Sequence, residues 1–326
     1  MTLRTLALLG LAACTGAPAD TATDTDADAD TDTDTDTDSD TDADTDTDTP
    51  ESVWTAFSIG TSSTLNGVYA SGAGVYMVGT DGGTFGGSAA AGWTSLDAPV
   101  DGADLTDLVG FGSGDALALV ASASQGLVAR YNTGAWSVED VGTANHEGVG
   151  GDAADSLFAV SAGGAYRWDG AAWTFERIPD GARLSDVYAV GGDAVAVGDD
   201  GVVVRRDASA WTTEDSGVRV NLNAVHGVSM DDLWAVGEEG TALHWTGAAW
   251  EPTDSGTTVT LWAVWAASAD AVFAVGNNGV ALRWDGSAWE RLYMSESNNL
   301  YAVHGASATN VWAVGNRGHA AQYKPE

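Results

Sequence analysis

The chain is 326 residues long, with one cysteine, 42 glycines, 14 tryptophans and a formal net charge of −35. A single cysteine excludes any intrachain disulfide framework, and the acidic excess speaks against nucleic acid, anionic lipid surfaces and acidic glycans as partners, since all carry charge of the same sign. Hydrophobic residues still make up 44% of the chain, enough to bury a sizeable core.

The N-terminus opens with Met1-Thr-Leu-Arg4, followed by an apolar run from Thr5 to Ala13 that leads into Cys14. A basic start, a short apolar core and small residues before a cut describe a secretory leader over residues 1–13, too short to span a bilayer. The tetrad Leu11-Ala12-Ala13-Cys14 resembles the lipobox of bacterial lipoproteins. That resemblance implies that Cys14 becomes the lipidated first residue of the mature chain and anchors it in the cell envelope through several acyl chains. Thr15 stands where an Asp would be the familiar inner-membrane retention signal in some bacteria, so the expected location is the outer membrane.

From Asp20 to Thr49 the chain alternates Thr-Asp and Ala-Asp, with an aspartate at every even position from 24 to 48. Such a segment has no apolar surface to bury and repels itself, so residues 14–50 are expected to form a disordered, extended linker. Its spacing matches no structured calcium loop, which needs glycine turns between alternating ligand types.

Residues 51–326 are organised by repetition. Seven tryptophans, Trp54, Trp93, Trp136, Trp173, Trp211, Trp250 and Trp289, recur at intervals of 37 to 43 residues, most of them after a pair of small residues. A period near 40 marks one supersecondary unit copied and stacked. The last three copies align closely: Leu222-Asn-Ala-Val-His-Gly with Leu233-Trp-Ala-Val-Gly, Leu261-Trp-Ala-Val-Trp-Ala with Val272-Phe-Ala-Val-Gly, and Leu300-Tyr-Ala-Val-His-Gly with Val311-Trp-Ala-Val-Gly. Weaker copies start at Leu65, Leu105, His146 and Leu184, making seven units.

Within a unit the apolar runs are short, rich in Val, Trp, Tyr and Leu, and bounded by Gly, Asp, Asn or Ser, which is strand grammar. The unit beginning at Leu222 reads as four strands, near 222–228, 233–237, 241–246 and 249–254. Trp168-Asp-Gly and Trp284-Asp-Gly join third to fourth strands, Asp-Gly between apolar runs being a strong hairpin signal. Four short antiparallel strands per unit predict an all-β, seven-bladed β-propeller. The last unit, from Leu300, lacks its Trp-bearing strand, and Ser52-Val-Trp54-Thr-Ala-Phe supplies one. Residues near 52–60 are therefore expected to form the outer strand of the last blade and close the ring without an open edge. The seven tryptophans are expected to fill the space between adjacent sheets.

Gly279-Val-Ala-Leu-Arg-Trp-Asp-Gly-Ser-Ala-Trp289 and Gly164-Ala-Tyr-Arg-Trp-Asp-Gly-Ala-Ala-Trp173 show a Gly-bounded turn, a strand and an Asp-Gly hairpin ahead of Trp. In this layout residues 52–326 resemble the BNR-like propellers, including photosystem-assembly-factor-like repeats, although the Ser-x-Asp-x-Gly-x-Thr-Trp box is absent. The resemblance implies a seven-bladed ring with a binding or assembly role and no particular chemistry.

No catalytic residue or cofactor motif stands out. His226 and His304 occupy equivalent first-strand positions, with Tyr69, Val109, Gly150, Tyr188 and Trp265 at that position elsewhere. Two histidines without a third ligand make a poor metal site, and blade packing is their expected role. Recognition is expected at the face where blade connections and the turns between second and third strands meet, since loops on a rigid scaffold carry binding. The ligand-binding candidates at that channel mouth are Arg183, Arg219, Asn221, Asn223, Glu238, Glu239, Trp262, Asn299 and Tyr301. The expected function is a non-catalytic, envelope-anchored scaffold that recognises a protein partner or a neutral glycan. A secreted carbohydrate-active enzyme and a structural surface protein are the alternatives.

Overall fold

The computed structural model describes residues 53–325, apart from 101, 112–115, 123–125, 133–134, 143–145 and 208–209. The expected leader, Cys14 and the aspartate-rich linker lie outside the described residues.

The repeats fold as seven four-stranded antiparallel sheets. The fifth blade represents the rest: Leu222–Ser229, Asp232–Gly237, Ala242–Trp245 and Trp250–Pro252 pair in order, with Leu222 opposite Gly237, Leu233 opposite Trp245 and Trp245 opposite Trp250. Its second strand is buried from Leu233 to Gly237, because it lies inside its own sheet and is covered on both faces by neighbouring blades. That placement accounts for the unbroken apolar run Leu-Trp-Ala-Val-Gly, where a half-exposed strand would alternate.

The hairpin between third and fourth strands differs from a two-residue Asp-Gly turn. Trp168 pairs with Trp173 and Trp284 with Trp289, leaving loops of four residues. In the first, Asp169 Oδ1 accepts the N–H groups of Ala171 and Ala172 at 3.0 and 2.9 Å; in the second, Asp285 Oδ1 accepts those of Ser287 and Ala288 at 2.8 and 2.9 Å. The aspartate therefore acts as a side-chain turn acceptor, and the following glycine takes the left-handed conformation, with φ of 91° at Gly170 and 100° at Gly286.

Ring closure follows the expected route. Trp54–Ser58 pairs with His319–Tyr323, from Trp54 opposite Tyr323 to Ser58 opposite His319. The first strands of successive blades touch all the way round, including Leu65–Ala70 of the first against Leu300–Ser307 of the last.

The periodic tryptophans sit between sheets. Trp93 packs edge-on against Trp312 of the preceding blade, Trp289 against Trp234, and Trp211 against Phe158, with ring centroids 5.3, 5.2 and 6.0 Å apart. Part of the ring adds a polar clasp. The indole N–H groups of Trp173, Trp211 and Trp250 donate to Glu139, Glu176 and Glu214 on the outer strand of the blade before, at 2.7, 2.8 and 2.9 Å. Each glutamate lies three residues after its own blade's tryptophan and also pairs with an arginine, Arg130, Arg206 or Arg205. A half-buried carboxylate is thereby satisfied from two sides.

Candidate functional site: the channel mouth

All seven first strands carry the same irregularity. The pairing skips the second residue, so that Leu65 and Gly67, but not Asn66, have partners, and likewise around Thr106, Glu147, Ser185, Asn223, Trp262 and Tyr301. A bulge re-aims the side chain that is left over, and these seven residues all line one mouth of the central channel, together with Arg183 and Asp199. In five of the seven blades the bulge lies against the glycine that ends the second strand, and in the second and third it lies against Ala121 and Ser161. A Cβ at Gly79, Gly198, Gly237, Gly276 or Gly315 would lie 1.8 to 2.2 Å from the carbonyl oxygen just before the bulged strand.

The turns between second and third strands reach the same face. The N–H of Asp199, Glu238, Asn277 or Asn316 donates to the carbonyl of Arg183, Asn221, Thr260 or Asn299 ahead of its own blade's first strand, at 3.0 to 3.1 Å. The following residue adopts φ of 55–59° at Asp200, Glu239, Asn278 and Arg317. Its N–H is received by the next blade in two cases, Asp200 by Asn221 Oδ1 and Asn278 by Asn299 Oδ1, both at 2.9 Å.

Of the nine candidates, the fold brings Arg183, Asn223, Trp262 and Tyr301 together at the mouth. Arg183 pairs with Glu147 of the neighbouring blade at 2.5 Å. Trp262, 36% exposed, meets Tyr301 edge-on at 6.0 Å and donates its indole N–H to Asn277 Oδ1 at 2.8 Å. Asn223 spends its amide on the Leu261 carbonyl of the next blade at 2.8 Å. Arg219, Asn221, Glu238, Glu239 and Asn299 do not line the cavity. Asn221 and Asn299 stitch turns of adjacent blades, and Asn221 also donates to Glu238 at 3.2 Å.

Below the mouth the channel continues as a cavity of about 220 Å³. Its next tier, with Gly67 and Gly148 at the equivalent strand positions of the first and third blades, is lined by Ala224, Ala263, Ala302 and two carboxyls, Asp107 and Asp186. Each takes its own next N–H, Leu108 or Val187, at 2.7 Å, and the N–H of a valine in the following blade, Val149 at 2.8 Å or Val225 at 2.9 Å. Burial raises both well above the usual carboxylate range, Asp107 to about 6 and Asp186 to about 7, the second pushed further by the charge of the first. A Cβ on Gly148, in the blade between them, would stand 2.8 Å from Asp186 Cα and 3.1 Å from its Oδ1.

The tier beneath is aromatic over half its circumference. Tyr188, His226, Trp265, His304 and Tyr69 follow one another with centroids 5.1, 6.4, 5.3 and 4.9 Å apart. His226 Nδ1 accepts the N–H of Ala266, and His304 Nδ1 that of Ala70, both at 3.2 Å. That assigns the proton to Nε2 in each ring. Burial lowers His226 to about 4 and His304, which also faces His226, to about 3. Both imidazoles line the cavity while joining adjacent blades.

The mouth residues Asn66, Thr106, Glu147 and Ser185, and the two channel aspartates, were not among the candidates. They share no residue type, and only the position after the first residue of each repeat marks the mouth set.

No family model matches the chain, and no curated protein matches it in sequence. Solved structures do. YCF48 from Cyanidioschyzon merolae superposes with a TM-score of 0.67 at 16% identity, over 83% of this chain and 99% of that one. The WD40 β-propeller domain of Doa1 gives 0.69 at 11% identity, over 83% and 96%. By fold, the chain is a propeller. Virginiamycin B lyase from Staphylococcus aureus aligns as well, at 0.68 and 11% identity over 84% and 99%, as does YCF48 bound to D1 peptide, at 0.67 and 15% over 84% and 97%. At these identities the likeness concerns architecture, and binding and catalytic proteins share it.

Proposed function

We propose that this propeller is a non-catalytic binding module of the cell envelope that receives a segment of another envelope protein at the channel mouth. The observation that carries the reading is the bulge ring, which projects an exposed Trp262, Tyr301 and the Arg183–Glu147 pair from a rigid closed scaffold. Aromatic and arginine side chains held on rigid elements are typical anchors of protein interfaces, and YCF48, with the same fold, has been solved with a peptide. In this reading residues 1–13 are a leader, Cys14 is lipidated, and residues 14–50 form the tether, with the outer membrane as the location. A neutral glycan is the second occupant that the Trp262 and Tyr301 rings suit.

A photo-crosslinking residue in place of Tyr301, in cells making the full chain, tests the reading. Discrete protein adducts that Trp262→Ala diminishes are expected. Adducts no richer than those from the same crosslinker at exposed Phe175 on an outer strand refute it, and glycan binding lost in Trp262→Ala without protein adducts favours the second occupant. Cys14→Ala is expected to abolish incorporation of an alkyne-tagged fatty acid, and retained label refutes the anchor.

A further inference from the structure

We propose that the channel beneath the mouth seats a primary ammonium group on an unbranched chain, held between Asp107 and Asp186. Where that group is the end of a lysine side chain, the proposal rests on the reading that the mouth receives a polypeptide segment. The argument begins with an imbalance. Two carboxyls face a narrow cavity from the second and fourth blades, and among the described residues no cation lines it below Arg183, which is engaged with Glu147 at the rim. Four backbone N–H groups hold the carboxyls in place and leave each oxygen a lone pair for a further donor.

The cavity's shape and remaining polar atoms select the ligand. The same tier is lined by Ala224, Ala263 and Ala302, which leaves room for a slender stem. Tiers follow at about 3.3 Å per residue along a strand, so a four-methylene stem starting at the rim reaches past the carboxyls. A compact ammonium satisfies two carboxyls on different blades, where a planar guanidinium favours a paired fork against one. Beneath, the backbone takes the Nδ1 atoms of His226 and His304, which leaves two Nε2–H donors suited to an acceptor, so the carboxyl pair is the group below the rim that receives the ammonium. The neighbouring Trp265 and Tyr188 rings, which line the cavity, offer an aromatic floor that favours a cation. No group of three His, Cys, Asp or Glu residues among those described is placed to hold a metal ion, so the seat fits an organic cation.

Binding is coupled to protons. Near pH 6 the carboxyl pair keeps protons that an arriving ammonium displaces. Besides the pair, Glu147, Asp199 and Tyr301 face the cavity at its rim and His226, His304 and Tyr188 line it below, and burial keeps the two histidines and Tyr188 neutral at pH 6. Proton release on binding therefore reports Asp107 and Asp186.

The test is calorimetry of the folded protein with N-acetyl-lysine methylamide, cadaverine, N-acetyl-norleucine methylamide and N-acetyl-arginine methylamide, in buffers of different ionisation enthalpy at pH 6 and 8.5. The lysine compound is expected to bind at least tenfold more tightly than the norleucine and arginine compounds. It should release protons at pH 6 but not at 8.5, and Asp107→Asn/Asp186→Asn should weaken it at least tenfold while Glu251→Gln, on an exposed outer strand, leaves it unchanged. Tighter cadaverine binding identifies a free amine as the source, and tighter lysine binding a peptide. Equal affinity for norleucine and lysine compounds, or binding unchanged in the folded double variant, overturns the proposal. Tyr301 adducts that persist alongside such a failure would leave the mouth reading standing.

Discussion

Replacing Asp107 and Asp186 by asparagine should change how stability depends on pH, in a direction the channel dictates. An acid whose folded value is raised binds its proton more tightly in the native state. Its stabilisation is therefore complete below about pH 4 and is lost as pH rises through the folded values of about 6 and 7. The histidines run the other way: with values lowered to about 4 and 3, they stabilise fully above their ordinary value and lose that contribution as pH falls through the folded values. At about 1.4 kcal/mol per pH unit, the four groups account for about 3 to 5 kcal/mol each, and between pH 4 and 6.5 the two pairs oppose one another. The native protein should accordingly show a shallow pH profile over that range. In Asp107→Asn/Asp186→Asn only the histidine slope remains, so the native protein should gain on the variant by about 6 kcal/mol between pH 8 and 4. Chemical denaturation followed by tryptophan fluorescence across that range measures the difference, from which surface titrations common to both proteins cancel. A difference that is flat, or that grows with rising pH, refutes the assignment of neutral carboxyls to the channel.

Two further predictions concern the ring. Trp54→Ala removes a side chain 4% exposed and packed at 5.5 Å on Tyr323, and should cost about 3–5 kcal/mol; an unchanged melting temperature would contradict closure by the N-terminal strand. Glu214→Ala deprives both Arg205 and the Trp250 indole of their acceptor and should cost about 2 kcal/mol, whereas exposed Glu251, on the same outer strand as Trp250, should tolerate alanine within about 0.5 kcal/mol in thermal melts.

Much of the architecture was legible because each blade repeats the same physical solution. The tryptophan period counted the sheets, and Trp54, as the seventh member, announced the closure strand before any pairing was known. The expected strands near 222–228 and 233–237 differ from those observed by single residues. The site was legible only in part. Nothing in Asn66, Thr106, Glu147, Ser185, Asn223, Trp262 and Tyr301 signals a bulge, because the register is set by the paired strand, where five blades carry a glycine with a carbonyl close against it and two carry Ala121 or Ser161. Asp107 and Asp186 occur in only two of seven repeats, so periodicity conceals them. Asn221 and Asn299 looked available for a ligand, and their engagement by a neighbouring blade's turn requires knowing which turns meet. His226 and His304 were correctly matched as equivalents, but a repeat frame does not distinguish a side chain between sheets from one at the axis.

The tryptophan clasp divides the ring into two arcs. In the second to fourth blades the residue three after the tryptophan is Glu139, Glu176 or Glu214, and in the fifth it is Thr253, which takes the Trp289 indole N–H at 3.0 Å. In the sixth, seventh and first blades it is Leu292, Phe57 or Leu96, and Trp54 and Trp93 belong to apolar clusters with Leu292 and Phe57 respectively. The seam where the two ends of the propeller meet lies in this second arc. Ionic strength and acid, which weaken the carboxylate clips, act on the arc opposite the seam, so a ring loosened by acid or salt would part first among its middle blades and keep its two ends joined.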